Sequence, residues 1–175
     1  PCAAALFMGL AKGANATDNN DLEELIEKAI QADGSLELPK GDFIASGIPI
    51  NRGLTITGLG DQTRLISPDG QPIFTITTTE SVTLRGLSFS GPALAQGEAL
   101  VTAARSPGLL IDMCRFSDSP AGGLHLEGCG GAVTGCHFSR IATTALFARD
   151  STGLDISGNR LEYIGNNGIQ VWTSE

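Results

Sequence analysis

A small set of side chains in the last third of the sequence combines acid–base groups, hydrogen-bonding groups and large aromatic rings. Histidine titrates near neutral pH. Carboxylate, guanidinium and amide groups bind hydroxyl or carboxylate groups, and aromatic faces stack on sugar rings. On one surface, these residue types could bind a carbohydrate and move a proton on it. The set consists of His125, Glu127, Phe147, Arg149, Asp150, Gln170 and Trp172.

Three consecutive segments, 108–129, 131–151 and 153–174, repeat one pattern that relates these side chains to each other. Equivalent residues recur in them at spacings of 22 and 23. Two looser copies precede them, at 54–77 and 81–103, the second with about five added residues in the Pro92–Gln96 loop. Agreement in five columns over three units indicates an internal repeat. The columns are Ile111/Val133/Ile156, Cys114/Cys136/Asn159, Phe116/Phe138/Leu161, Leu124/Leu146/Ile169 and Leu126/Ala148/Val171.

Each repeat contains three short alternating segments separated by glycine, asparagine or serine, which is typical of strands and tight turns. A unit of about 22 residues has no room for a crossover helix, and the leucine spacing of a leucine-rich repeat is absent. The pattern predicts a parallel β-solenoid, with like residues stacked about 4.8 Å apart on successive coils. If the apolar residues of the third strand point inward, their neighbours point outward in two rows. These rows are His125, Phe147 and Gln170, and Glu127, Arg149 and Trp172.

The ends of the chain lead to further predictions. The segment 17–33 predicts a capping helix that begins at Thr17 or Asp18, has one apolar face and stops at Gly34. Residues 1–16 contain an apolar run that could be a signal-peptide remnant; a family resemblance of the N-terminal third implies a first strand and turn there instead. Residues 34–175 read as the coils of a single domain. Nothing resembling a cap follows Trp172. We therefore expect the N-terminal part of a longer solenoid, or an open end covered by another copy in a homo-oligomer.

Composition and charge exclude several functions. Eleven Lys and Arg against 19 Asp and Glu give a net charge of −8, which argues against nucleic acid as a partner. No apolar run approaches the roughly 20 residues of a membrane span. The four cysteines and two histidines show no metal-ligand spacing, so we expect no metal site. We expect no cofactor, although calcium remains a candidate because the chain is acidic.

The N-terminal third resembles the opening of pectate-lyase-like right-handed parallel β-helix proteins. The matching residues are Gly9, Lys12-Gly13, Thr17-Asp18 and Leu38–Phe43, the last in the form L-P-x-G-x-F. The later coils, ALFARDSTGLDISGN and GNNGIQVW, are similar to an uncharacterised bacterial repeat family of this superfamily whose members often carry a twin-arginine export signal. The resemblance implies an all-β, right-handed, single-stranded parallel β-helix of about six coils of 22–28 residues. It also implies a periplasmic or secreted bacterial protein.

The resemblance further implies a polysaccharide partner and a reaction. Related enzymes cleave uronic acid polymers by β-elimination or epimerise them at C5, and both reactions begin by removing the proton next to the carboxyl group. Arg149 would then be the base or a carboxylate clamp, with His125 as a second titrating group and Glu127 or Asp150 as its partner or a metal ligand. Phe147, Asp150, Gln170 and Trp172 would bind substrate.

Three alternatives stay open. Arg149 and Glu127 could form an ordinary ion pair between coils. The outward face could be covered by a loop, missing coils or another subunit instead of by a glycan. The chain could also be a structural or glycan-binding solenoid without catalysis, because a fold does not determine a function. Hydrolysis is the weaker enzymatic interpretation, because a hydrolase needs a pair of aspartate or glutamate carboxyl groups and Asp150 is the only aspartate near the outward rows.

Overall fold

A computed structural model describes residues 18–174 of the chain. It contains one α-helix, α1 (Asn19–Gln31), followed by 18 short strands and a 3₁₀ turn at Gly60–Gln62. The predicted first strand and turn over residues 1–16 lie outside the described residues. No helix in the described part of the chain has the length and apolar character to cross a bilayer.

The strands form three parallel sheets of six strands each, and every third strand belongs to the same sheet. This is the predicted parallel β-helix of six coils. Sheet A contains β1 (Ser35–Glu37), β4 (Leu54–Thr57), β7 (Val82–Arg85), β10 (Leu109–Asp112), β13 (Gly131–Thr134) and β16 (Leu154–Ser157). Sheet B contains β2 (Gly41–Ile44), β5 (Thr63–Ile66), β8 (Ser88–Ser90), β11 (Arg115–Ser119), β14 (His137–Ile141) and β17 (Arg160–Ile164). Sheet C contains β3 (Ile48–Ile50), β6 (Phe74–Ile76), β9 (Ala99–Ala104), β12 (Gly122–Glu127), β15 (Leu146–Arg149) and β18 (Ile169–Trp172).

The strand register agrees with the columns predicted from the repeats. Ile111 pairs with Val133, Phe116 with Phe138, and Leu124 with Leu146. The register also holds across the longer repeat, because the extra residues lie in the connection between β8 and β9 and leave the strands aligned. Apolar side chains that point inward on all three sheets therefore stack into a single core.

The helix α1 covers the N-terminal end of this core. Leu22, Ile26 and Ala29 are buried, and the helix contacts β1 and β2. Asp18 occupies the N-cap position through its backbone, but its side chain makes no capping hydrogen bond. At the other end the backbone N–H of Gly34 donates to the carbonyl oxygen of Ala29 at 2.8 Å, with a φ of 74° at Gly34. Gly34 thus ends the helix as predicted.

The corners between sheets are built from residues in the left-handed backbone conformation. At the corner after sheet A, three successive coils have φ values of 52° at Met113, 60° at Gly135 and 65° at Gly158. Glycine adopts this conformation without strain, whereas a residue with a Cβ does not. Met113 is therefore the strained member of its column.

Polar side chains satisfy the buried backbone at the same corner. Asn159 accepts a hydrogen bond from the N–H of Cys136 at 2.8 Å and donates to the carbonyl of Val133 at 2.8 Å. Cys136 and Cys114 occupy the equivalent places in the preceding coils and direct their thiols at backbone carbonyls. Together with Cys129 they are buried free thiols, and Cys2 lies outside the described residues.

Candidate functional site

The strands β12, β15 and β18 position the predicted site residues on the outer face of sheet C. His125 pairs with Phe147, which pairs with Gln170. Glu127 pairs with Arg149, which pairs with Trp172. We call these sets the His125 row (His125, Phe147, Gln170) and the Glu127 row (Glu127, Arg149, Trp172). Both follow the axis of the β-helix, one residue per coil.

Side-chain alternation explains why the rows face outward. Leu124, Leu126, Leu146 and Ala148 flank the row residues in β12 and β15 and are fully or almost fully buried in the core. Strand geometry then turns the residues between them to the opposite face. The apolar pattern of the repeat therefore creates a surface on which polar and aromatic side chains from three coils are neighbours.

Three rings form a continuous aromatic strip across the rows. The rings of His125 and Phe147 have centroids 4.8 Å apart and planes at 83°, and those of Phe147 and Trp172 are 5.4 Å apart at 81°. These are edge-to-face contacts, the favoured arrangement for aromatic pairs. The strip ends at Trp172 in the sixth coil, the last that the structure describes, where this side chain is 54% exposed.

His125 is neutral at pH 7 in this environment. Its Nε2 atom is buried and has no hydrogen-bond partner among the described residues. Burial lowers the pKa of His125 below 6.5; the nearby charge of Arg149 acts in the same direction, and those of Glu127 and Glu98 oppose it. Protonation would place a second N–H in a site that offers this ring nitrogen no acceptor. The ring therefore acts at neutral pH as an uncharged aromatic group.

Arg149 contacts two carboxylates. Its Nη2 donates to Glu127 Oε1 at 2.5 Å, and its Nε lies 3.4 Å from Asp150 Oδ2 without the alignment of a hydrogen bond. The hydrogen bond to Arg149 lowers the pKa of Glu127, and the same bond raises the pKa of Arg149. Glu127 and Arg149 are consequently both charged at neutral pH. The ion pair between coils that the sequence left as an alternative is present.

The structure adds three residues that were not predicted. Arg105, at a φ of 51°, donates its backbone N–H to the carbonyl of Glu127 at 2.8 Å, and its side chain makes no ion pair within residues 18–174. Glu98, at the end of the β8–β9 connection, lies near enough for its charge to act on His125. Asn167 donates from Nδ2 to Gln170 Oε1 at 3.2 Å, which leaves the amide nitrogen of Gln170 available as a donor.

Only one of these three residues left a usable signal in the sequence. Arg105 directly follows Ala104, which pairs with Glu127 from the preceding coil. In the same way, Asp150 directly follows Arg149, which pairs with Glu127 from the next coil. Column counting could therefore have placed Arg105 at this corner. Glu98 belongs to the inserted connection and Asn167 to a turn, where the repeat pattern does not apply.

Two other carboxylates lie on other faces of the β-helix. Asp112 pairs with Arg85 on sheet A at 2.9 Å, and Asp118 pairs with Arg140 on sheet B at 2.6 Å. Across residues 18–174, no three His, Cys, Asp or Glu side chains come together as a metal site. Glu127 and Asp150, the candidates for a partner of His125 or a metal ligand, both contact Arg149, so a guanidinium already balances part of their charge.

The fold and the three-coil site define a parallel β-helix protein with a mixed aromatic and charged outer face. Residues 62–175 match the family described as the right handed beta helix region. The chain belongs to this family, and the predicted right-handed β-helix is thereby confirmed. Among curated proteins, none matches the sequence.

Solved structures with the same fold include the catalytic domain of GH87 alpha-1,3-glucanase in complex with nigerose, in two point variants. One has a TM-score of 0.70 and the other 0.65. In both cases 13% of residues are identical, and the match covers 93% of this chain. The chain spans about a third of their length, 31% of each solved chain. At this identity the similarity shows a common fold.

Proposed function

We propose that the outer face of sheet C binds a polysaccharide chain and that the protein takes part in modifying that polymer. The observation that carries the proposal is that the aromatic strip of His125, Phe147 and Trp172 lies beside the hydrogen-bonded ion pair of Glu127 and Arg149. A sugar ring presents an apolar face and a rim of hydroxyl groups. Its recognition needs a flat apolar surface with donors and acceptors at the edge, and this face supplies both.

The direction of the rows fits a polymer better than a single sugar. The His125 row and the Glu127 row both run along the helix axis, and the coils repeat about every 4.8 Å. A chain that lies along the axis would meet Phe147 on one coil and Trp172 on the next. The Gln170 amide, fixed by Asn167, would donate to a hydroxyl group at the same level as Trp172.

The solved neighbours make glycans the ligand class to test first. They are catalytic domains of an alpha-1,3-glucanase in complex with the disaccharide nigerose. Because only the fold is shared, the reaction of this protein has to be argued from its own residues. The earlier resemblance supports a periplasmic or secreted location, where such polymers occur, and cell fractionation of the native host would test that part of the proposal.

The side chains of the face do not equally favour the reactions considered. β-Elimination and C5-epimerisation need a base, and Glu127 raises the pKa of Arg149, which works against that role. As a carboxylate clamp, Arg149 would have to share its charge with Glu127 and Asp150. His125 is uncharged, as a base must be, but its Nε2 is covered. The Glu127–Arg149 ion pair therefore favours the second candidate function, glycan binding without chemistry within this face.

The binding proposal can be tested with the only tryptophan of the chain. We expect Trp172 fluorescence to change when a glycan that the protein binds is added, and Phe147→Ala to weaken the binding by about tenfold. Tyr163→Ala is the matched control, because Tyr163 is 80% exposed on sheet B, away from the strip. A complete lack of response to a broad panel of polysaccharides would contradict the proposal.

Proton NMR of the same panel separates binding from modification. New vinyl signals would indicate a lyase, new reducing-end anomeric signals a hydrolase, and changed ring couplings without cleavage an epimerase. Binding without any of these products would support the non-catalytic candidate. If the Arg149→Ala variant keeps a detected activity unchanged, Arg149 is neither the base nor a carboxylate clamp.

A further inference from the structure

We propose that this face selects neutral glycans over acidic ones, and that Glu127 and Asp150 determine the selectivity by holding Arg149. The inference rests on the proposed binding function and specifies its ligand class. It differs from the uronic acid polymer that the sequence resemblance implied.

The contacts of Arg149 carry the argument. An arginine that recognises a sugar carboxylate presents its N–H groups to that carboxylate, in the best case two at once. Here Nη2 donates to Glu127 and Nε lies against Asp150, so two carboxylates of the protein occupy the guanidinium. A uronate could reach only the N–H groups of Nη1 and Nη2 that these carboxylates leave free. Three negative groups would then share one cation.

The surrounding charges act in the same direction. Glu98, Glu127 and Arg149 lie near enough for their charges to act on His125. Arg105 acts on Glu127, and Asp150 lies 3.4 Å from Arg149, so three carboxylates and two guanidinium groups belong to this face. His125 adds no charge at neutral pH, so the face is negative, as is the whole chain at −8. A polyanion is repelled during its approach as well as at the site.

The same groups suit hydroxyl groups well. Glu127 uses Oε1 for Arg149, and Asp150 approaches it through Oδ2. The second oxygen of each carboxylate has no bond to another described residue, and about half of each side chain is exposed, 48% for Glu127 and 53% for Asp150. Hydrogen bonds from sugar hydroxyls to charged acceptors are among the stronger ones available in water. Arg149 keeps both acceptors in place by neutralising part of their charge.

The test compares a neutral polymer with an acidic one on the same protein. Affinity electrophoresis or calorimetry at low salt would use a soluble neutral glucan and polygalacturonate. We expect the wild-type chain to bind the glucan and to bind polygalacturonate at least about tenfold more weakly. The double variant Glu127→Gln/Asp150→Asn releases Arg149 with little change in shape. It should gain at least about tenfold in affinity for polygalacturonate, in a salt-sensitive manner, and lose affinity for the glucan.

The chain offers a matched control for the loss of two negative charges. Asp112→Asn/Asp118→Asn releases Arg85 and Arg140 on other faces. An equal gain for polygalacturonate in this control would show that only net charge matters and would overturn the inference. Circular dichroism verifies that each variant is folded. If a variant does not fold, Glu127→Gln alone, which removes the shorter of the two contacts, replaces the double substitution.

The outcomes separate the inference from the function on which it rests. Equal binding of both polymers by the wild-type chain, weakened by Trp172→Ala, would leave the binding face intact and overturn the selectivity. Binding of neither polymer, nor of any other glycan, would remove the proposed function itself. If the wild-type chain prefers the glucan and only the Glu127→Gln/Asp150→Asn variant prefers polygalacturonate, Glu127 and Asp150 together determine the specificity.

Discussion

Phe116 and Phe138 stack face to face inside the β-helix, with ring centroids 4.8 Å apart and planes only 7° from parallel. Phe89 extends the stack by one coil at 5.0 Å. The register of sheet B imposes this parallel arrangement, because equivalent positions on successive coils hold equivalent side chains. The edge-to-face contacts of the aromatic strip on the outside differ from it, since those rings are free to turn.

The stack predicts that replacing a buried phenylalanine and replacing an outer one change the free energy of unfolding by very different amounts. Phe138→Ala removes a fully buried ring with neighbours on both sides and should lower the free energy of unfolding by about 3–5 kcal/mol. Phe147→Ala, on the outer face, should lower it by about 1 kcal/mol or less. Chemical denaturation of both variants measures the difference. Similar losses in the two would mean that the outer strip contributes to folding as strongly as the core.

The pKa of His125 predicts a pH dependence of stability. Because burial lowers this pKa in the folded chain below 6.5, the unfolded chain binds the proton more readily. Stability should therefore be highest above about pH 6.5 and fall as the pH decreases towards the lower folded-state pKa. The slope should be shallow, because water partly screens the ring. Denaturation of the wild-type chain and of His125→Asn between about pH 5 and pH 8 checks it, and an unchanged slope in the variant would contradict the assignment to His125.

The strained backbone at Met113 predicts a stabilising substitution. Met113→Gly removes the Cβ from a left-handed position and should raise the free energy of unfolding by about 0.5–1 kcal/mol. Little packing is lost, because Met113 is 65% exposed. Met113→Ala is the control, since alanine keeps the Cβ and with it the strain. Thermal unfolding of the two variants should shift in opposite directions or by clearly different amounts, and equal shifts would mean that the backbone is not strained there.

Cys129 occupies a place that serines hold on neighbouring coils. Ser106 Oγ accepts the N–H of Thr78 at 3.3 Å, and Ser151 Oγ accepts the N–H of Cys129 at 3.2 Å. The Cys129 thiol itself is directed at the carbonyl oxygens of Ala103 and Glu127. At this corner, each coil thus places one hydrogen-bonding side chain against the backbone of the preceding coil.

This ladder predicts that Cys129→Ser is tolerated and that Cys129→Val is not. Serine restores the hydroxyl found on the neighbouring coils, so its free energy of unfolding should stay within about 0.5 kcal/mol of the wild type or exceed it. Valine has a similar size but cannot donate, and should cost about 1–3 kcal/mol by leaving buried polar groups unpaired. Denaturant titration of the pair decides the point, and a more stable valine variant would show that packing outweighs the hydrogen bonds.

The sequence was sufficient to predict the features that repeat. Phe116 and Phe138 are 22 residues apart, and Phe89 and Phe116 are 27 apart, yet both pairs are neighbours in sheet B because connections between strands absorb insertions. The inward column of Leu124 and Leu146 also fixed the outward direction of His125 and Phe147. Strand periodicity therefore predicts which side chains share the outer face of sheet C.

Features that arise from individual contacts were not predictable in the same way. The periodicity placed Arg149 beside Glu127, but it could not show that the guanidinium would also reach Asp150, which depends on side-chain rotamers. Glu98 lies in an inserted connection and Asn167 in a turn, so no column relates them to the site. Asp18 is the N-cap residue, one of the two that the sequence predicted, but its side chain makes no capping hydrogen bond, which the residue type alone could not show.

The stacking of the coils makes the mechanical resistance of the molecule depend on the direction of the applied force. Within each sheet, the backbone hydrogen bonds that join one coil to the next all point along the axis, so a force applied along the axis pulls directly on these bonds at every interface between coils. A force across the axis instead acts on the covalent chain of one coil and on its packed core. We expect the coils to separate one after another when the molecule is pulled along its axis. We expect it to resist compression across the axis.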